Sequence, residues 1–314
     1  MEKIIFNWYK KYLFQKTFNK APTMNSRRLF ILHLFCLPLF CLCILLGGCV
    51  AGKGSNKSFY FIQMSDPQFG MYTAIKSYEK ETRNFEKAIA EANRLKPRFV
   101  VVTGDLVNRS GDAAQIAEYK RIAALLHPSI TLYNVPGNHD VGNTPTPADI
   151  AAYRAAFGKD YYSFTQGSVL GIVLNSIYLH SPQNVPQEAK EQEQWLINTL
   201  AEAKGKNYRH IFVFLHHPFF LKQEAEADEY FNIPTATRNR FLQLFKANGI
   251  HYIFAGHYHR NAFAQSPGLE MVTTGPVGMP LGADSSGFRI VSVNKEKIHH
   301  RYYSLDSIPA VISK

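Results

Sequence analysis

The chain has 314 residues, 46% of them hydrophobic, which is material for one large core and excludes a disordered chain. Its four cysteines, Cys36, Cys41, Cys43 and Cys49, all fall in the first 49 residues, so the remainder has no thiol for a disulfide or a thiolate metal site. The formal charge of +11 is concentrated at the front: residues 1–48 hold seven Lys or Arg against one acid, and without them the chain carries +5, interleaved as in Glu79-Lys80-Glu81, so no nucleic-acid binding is expected.

In chain order, Arg27 and Arg28 precede an apolar run from Leu29 to Leu46 that ends in Leu46-Gly47-Gly48-Cys49. That is the order of a secretory signal, and the small residues before the cysteine resemble a bacterial lipobox. The expectation is a signal region over 1–48 with Met24 as the true start, a lipidated Cys49 opening a flexible tether over 49–57, and a folded domain over 58–308. A lipid anchor would hold that domain on a bacterial cell envelope, facing the periplasm or the outside. The alternative is a transmembrane anchor, for which the run is near the lower length limit.

From Phe59 onward apolar, β-rich runs alternate with helical patterns. Strands are expected at Phe59–Met64, Phe99–Val102 and Thr131–Val135, and helices at Tyr78–Lys96, Ala113–Leu126 and Ala148–Phe157. Strands at Tyr162–Phe164, Leu170–Leu174, His210–Leu215 and Tyr252–Ala255 follow, with helices at Gln187–Ala203 and Ala236–Ala247. The segment from Met271 to Tyr303 reads as strands with turns at Gly275, Gly278, Gly282 and Gly287. The alternation predicts a single α/β domain.

Five polar clusters stand directly after predicted strands: Asp66-Pro67-Gln68, Gly104-Asp105, Gly137-Asn138-His139-Asp140, His216-His217-Pro218 and Gly256-His257-Tyr258-His259. Singly, each is compatible with a cap, a turn or a packed histidine. Together they supply carboxylates, side-chain amides and imidazoles at the carboxyl ends of strands, which in α/β sheets line one crevice. His257 and His259 are two apart and would face opposite ways in a continued strand, so a turn after Gly256 is required to aim both at one site.

This ordered set resembles the calcineurin-like metallophosphoesterase superfamily, and the longer runs Asp66-Pro67-Gln68-Phe69-Gly70, Gly137 through Thr146 and Gly256 through Asn261 resemble its serine/threonine phosphatase branch. The resemblance extends from Phe59 to about Leu305. It implies a four-layer αββα sandwich of two mixed sheets flanked by helices, and two divalent metal ions (Mn, Fe or Zn, with Mg less suited to imidazole). It further implies that Asp66, Gln68, Asp105 and His259 hold the first metal and Asp105, Asn138, His216 and His257 the second. His139 would be the catalytic histidine with Asp140 as its partner, and His217 would not be a ligand but a neighbour that packs or faces solvent; Arg260, directly after the histidine pair, is a candidate substrate contact or an exposed arginine without that role. The superfamily usually has histidine at the position of Gln68, a departure that bears on the first metal. The implied reaction is hydrolysis of a phosphomonoester, on a phosphorylated small molecule or phosphoprotein. A phosphodiesterase and a non-catalytic binding protein with a degenerate site are the alternatives.

Overall fold

The computed structural model describes residues 58–73, 77–295 and 297–312; the predicted signal, the Cys49 acylation site and the tether through Lys57 lie outside the described residues. The first half alternates β1 (Phe59–Met64), α1 (Glu79–Leu95), β2 (Phe99–Thr103), α2 (Ala113–Ala123) and β3 (Thr131–Val135). A single turn, α3 (Asn138–Val141), and α4 (Pro147–Phe157) complete it. The second half comprises β4 (Tyr162–Gln166), β5 (Val169–Val173), α5 (Ile177–His180), α6 (Pro186–Lys204), β6 (His210–Phe214), α7 (Thr235–Ala247) and β7 (Tyr252–Ala255). The last strands are β8 (Ala262–Ser266), β9 (Leu269–Thr273), β10 (Gly287–Val293) and β11 (Ile298–Ser304).

The strands form two mixed sheets, ordered β11-β10-β1-β2-β3 and β4-β5-β6-β7-β9-β8. In the first, β1, β2 and β3 run parallel and β10 and β11 join antiparallel beyond β1; in the second, β5, β6, β7 and β9 run parallel and the edge strands β4 and β8 are antiparallel. Alternate side chains separate two cores. Phe61, Phe99 and Val101 of one sheet meet Phe212, Phe214 and Phe254 of the other, all fully buried. Their neighbours Ile62, Met64, Val100, Val102 and Val213 belong to a larger cluster shared with α1 and α7 residues such as Phe85 and Phe245. Because both faces are covered, these strands read as continuous apolar runs. Phe61 stacks on Phe99 at 4.6 Å and meets Phe254 edge-on at 5.5 Å, so the aromatic layer itself joins the sheets. Helices cover the outer faces, which gives the expected sandwich.

Three local expectations are corrected. The helix from Ala113 ends at Ala123, because Leu125 and Leu126 switch to i−3 bonds (2.9 and 3.1 Å) ahead of Pro128. β8 was not foreseen, its short alternating run being too polar to stand out. Gly287 is the first residue of β10 and not a turn: a Cβ there would lie 2.1 Å from the Tyr303 carbonyl oxygen, so the glycine serves close approach of β11. No helix among the described residues is long and apolar enough to cross a membrane.

Candidate metal centre

The tips of β1, β2, β3, β6 and β7 converge, and backbone hydrogen bonds knit them. Asp66 N–H donates to the Gly104 carbonyl (3.1 Å), Gln68 N–H to that of Asp105 (3.0 Å) and Gly256 N–H to that of His216 (3.0 Å). This contact leaves no room for side chains at two glycines. A Cβ on Gly104 would meet His216 Nδ1 at 2.3 Å, and one on Gly256 would meet Ser65 Oγ at 1.8 Å. Below the tips, buried Gln63 spans the sheets, its Nε2 donating to Thr103 Oγ1 (3.1 Å) and the Ala255 carbonyl (2.9 Å) while its Oε1 accepts from Thr274 Oγ1 (2.7 Å).

Six described non-glycine residues have positive φ, and five of them are predicted ligands: Asp66 (50°), Gln68 (38°), Asp105 (50°), His257 (68°) and His259 (53°). The sixth, Lys96, caps a helix. Left-handed backbone at a side chain costs about 1 kcal/mol or more and persists where surrounding structure enforces it, which is typical of functional sites. At His257 and His259 it supplies the turn that the spacing demanded. Both rings consequently face the pocket.

Two groups of buried side chains have ligand atoms within 4.8 Å of one another: Asp105 with His216 and His257, and Asp66 with Asp105 and His259. Asp105 is common to both. Its Oδ2 lies 3.3 Å from His216 Nε2, and its Oδ1 accepts from His139 N–H (2.9 Å). Asn138 Oδ1 is 3.0 Å from His216 Nε2. His259 Nε2 is 3.4 Å from Asp66 Oδ1.

Each histidine is oriented by a carbonyl behind it. His216 Nδ1 donates to Thr103 O (2.8 Å), His259 Nδ1 to Met279 O (2.9 Å) and His257 Nε2 to Tyr230 O (3.2 Å). A carbonyl can only accept, so these bonds fix the proton on the outer nitrogen and turn the other nitrogen inward, as ligating histidines require. Gln68 is oriented likewise. Its Nε2 donates to Asn108 Oδ1 (3.3 Å), while its Oε1, like Asp66 Oδ1, is buried with no hydrogen-bond partner among the described residues. Buried oxygens are rarely left unpaired, so two such atoms beside a cluster of nitrogen and oxygen donors fit a bound cation.

The charges agree with that fit. Burial would raise the Asp105 pKa, but His216, His139 and His257 outweigh it and hold the carboxyl below its usual range. Burial would lower His216, but Asp105 and Asp66 push it up to about 9, because the two carboxylates draw positive charge to this place. Burial and then His216 drive His257 down to about 3.

The other predicted residues divide. His139 projects from α3, and its Nδ1 donates to the Asn108 carbonyl (2.8 Å), leaving Nε2 for other partners. Asp140 does not orient that ring, contrary to expectation: its carboxylate accepts from Gly137 N–H (2.7 Å) and Val107 N–H (3.0 Å), tying the β2 and β3 loops together. The reason is steric direction, since neighbouring residues on a single helical turn point apart. Burial, reinforced by Asp105, pushes the Asp140 pKa up. Arg260 Nε is engaged by the Leu281 carbonyl (3.1 Å) and its guanidinium lies over Tyr258 at 5.2 Å, beside the pocket. Asn261, adjacent to it, is taken up by Gly275 N–H and Arg289. His217 is buried between His180 and His257 (ring centroids 4.7 and 4.1 Å) and bonded to Ser176 Oγ (2.9 Å), which is packing.

Sequence reasoning missed Asn108 and Tyr230. Asn108 serves both Gln68 and His139, and Tyr230 reaches His257 and Asn138 from the loop before α7. Asn108 lies three residues beyond Asp105, a proximity that could have drawn attention; the Tyr230 segment carries no such mark.

The profile of calcineurin-like phosphoesterases matches residues 59–261. The chain is 41% identical over 265 residues to the serine/threonine-protein phosphatase CPPED1 of Bos taurus, covering 80% of this chain and 85% of that protein. Identity to CPPED1 of Homo sapiens is 39% over 266 residues, covering 80% and 85%. Among solved structures, a dimetal phosphatase from Danio rerio superposes with a TM-score of 0.58 at 17% identity, covering 79% of this chain and 96% of that one. A purple acid phosphatase from yellow lupin superposes with a TM-score of 0.62 at 13% identity, covering 81% and 52%. These two likenesses concern the fold.

Proposed function

Because this chain belongs to the calcineurin-like phosphoesterase family and is a metal-dependent phosphoester hydrolase, we propose that it hydrolyses a phosphomonoester, carried on a phosphoprotein, with water as nucleophile. The observation that carries the reading is Asp105, shared by two buried groups of metal-binding side chains at the convergence of the strand tips. In this reading Asp66, Gln68, Asp105 and His259 hold one divalent cation, and Asp105, Asn138, His216 and His257 the other. When bound, such a pair supplies Lewis acidity and a lowered pKa for water at neutral pH. The chain itself orients the phosphoryl group. The carbonyls of Thr103, Met279 and Tyr230 prevent the three imidazoles from rotating, so the donors are arranged before substrate arrives. His139, fixed at Nδ1, presents Nε2 and transfers a proton to the leaving oxygen.

The phosphoprotein assignment is supported by the naming of the relatives as serine/threonine-protein phosphatases. Gln68 supports retained catalysis, not a degenerate site, because its oxygen is the atom left unpaired toward the donors. Export and anchoring rest on the Leu46-Gly47-Gly48-Cys49 run and are part of the same proposal. The test is a metal-by-substrate screen of the full chain, comparing p-nitrophenyl phosphate with bis-p-nitrophenyl phosphate and phosphoserine peptides. Hydrolysis of the diester alone would overturn the monoester assignment. Absence of radiolabelled palmitate from the wild-type chain, or labelling that persists in Cys49→Ser, would overturn the lipid anchor.

A further inference from the structure

Tyr230 lies on the segment between β6 and α7, remote in sequence from the strand-tip motifs, yet it touches two of the residues assigned to the second cation. Its carbonyl accepts from His257 Nε2 (3.2 Å) and its ring centroid is 5.0 Å from that of His257. Its hydroxyl is 3.3 Å from Asn138 Nδ2. An amide nitrogen can only donate, so the hydroxyl oxygen is the acceptor in this pair and the phenolic proton remains to be given elsewhere. Among the described residues no acceptor takes it. Nor is the side chain sealed in the core, being 52% exposed.

The segment is held firmly. Glu226 accepts from the backbone N–H groups of Leu221 (2.7 Å) and Lys222 (2.8 Å), closing one end of the loop. Arg238 of α7, fully buried, donates to the carbonyls of Glu224 (2.8 Å), Glu226 (2.7 Å) and Ile233 (3.0 Å). A buried guanidinium satisfied by three carbonyls fixes a loop more strongly than neutral bonds do. Tyr230 is therefore presented as a preorganised donor at the open side of Asn138.

We propose that the Tyr230 hydroxyl donates a hydrogen bond to a non-bridging phosphoryl oxygen of the substrate, stabilising the charge that builds there during displacement. The inference deepens the proposed phosphomonoesterase reading and rests on it. A neutral donor suits this place. It adds stabilisation as charge grows without adding a further fixed charge to the two cations and His139. The hydroxyl forms no covalent bond and keeps its proton throughout.

The test is Tyr230→Phe in the full-length protein, which removes only the hydroxyl and leaves the carbonyl on His257. Three quantities are read: kcat and KM for p-nitrophenyl phosphate with Mn²⁺, competitive inhibition by inorganic phosphate, and metal content per chain. The expected result is a fall in kcat of roughly 10- to 100-fold, at or below the usual effect of losing one preorganised donor. Phosphate inhibition should weaken in parallel, with metal content equal to that of the wild type. A kcat within twofold of wild type would overturn the inference while leaving the phosphatase reading intact. Loss of metal together with activity would also overturn it, reducing Tyr230 to a support for Asn138. Wild-type protein without phosphatase activity or phosphate binding under any divalent metal would overturn both.

Discussion

Replacing Asn108 by alanine isolates what makes a glutamine usable as a metal ligand. The side-chain amide of Gln68 can present either oxygen or nitrogen to the pocket, and only the oxygen can ligate. In the structure the choice is made by one bond, Gln68 Nε2 donating to Asn108 Oδ1 at 3.3 Å. Removing a single neutral acceptor shifts such a preference by about 1 kcal/mol, or roughly five- to tenfold in the population of the ligating orientation. Loss of a group that orients a metal ligand characteristically weakens binding by about 10- to 100-fold, and the long bond here argues for the lower part of that range. The Asn108 carbonyl that fixes His139 belongs to the backbone and survives the substitution. Asn108→Ala should therefore weaken one of two metal sites and spare the other, as read by elemental analysis after dialysis against graded chelator. Adding Gln68→His, which brings an inward-facing nitrogen of its own, should restore occupancy and alter metal preference more than the fold. Equal chelator resistance of both metals in Asn108→Ala would refute the reasoning.

Two further outcomes concern stability. Gln63→Leu keeps the volume of a fully buried side chain but strips the hydrogen bonds that join the sheets beneath the site. With about 1–3 kcal/mol for each buried polar group left short of a partner, the loss should be about 2–4 kcal/mol in denaturant unfolding; an unchanged midpoint and slope would count against that bridge. His300 is depressed to about 4 by burial, with Arg289 and His299 adding to it, and its Nδ1 accepts from Arg289 Nη1 at 2.9 Å. Between its ordinary value near 6.5 and about 4 the unfolded chain takes up a proton that the folded chain refuses. Stability from this residue is thus complete above pH 6.5 and lost as pH falls toward 4. His300→Gln should flatten the pH dependence of unfolding free energy in that window, and an identical slope in the variant and the wild type would contradict the assignment.

The strand-tip clusters were legible because chemistry-bearing residues interrupt apolar runs, and Asp66, Asp105, His216, His257 and His259 stand at such interruptions. The need for a turn between His257 and His259 was legible from their spacing alone. Gln63 was not, since a glutamine inside Phe59–Met64 looks like an ordinary strand residue until the second sheet supplies Ala255 and Thr274 as partners. Asn108 and Tyr230 stayed hidden for the same reason: their roles arise from loops folding back on motifs 40 and 27 residues away. Asp140 was misread because adjacency in Asn138-His139-Asp140 suggested contact, whereas one helical turn sends the two side chains to different partners. Single-turn helices such as Ile177–His180 are too short to leave a periodic pattern.

The most direct measurement is anomalous diffraction from crystals of the protein grown with Mn²⁺. The prediction is two peaks roughly 3.5–4 Å apart, the separation of paired catalytic metals, with the Asp105 carboxylate between them. One peak, or a pair standing away from Asp105, would contradict it.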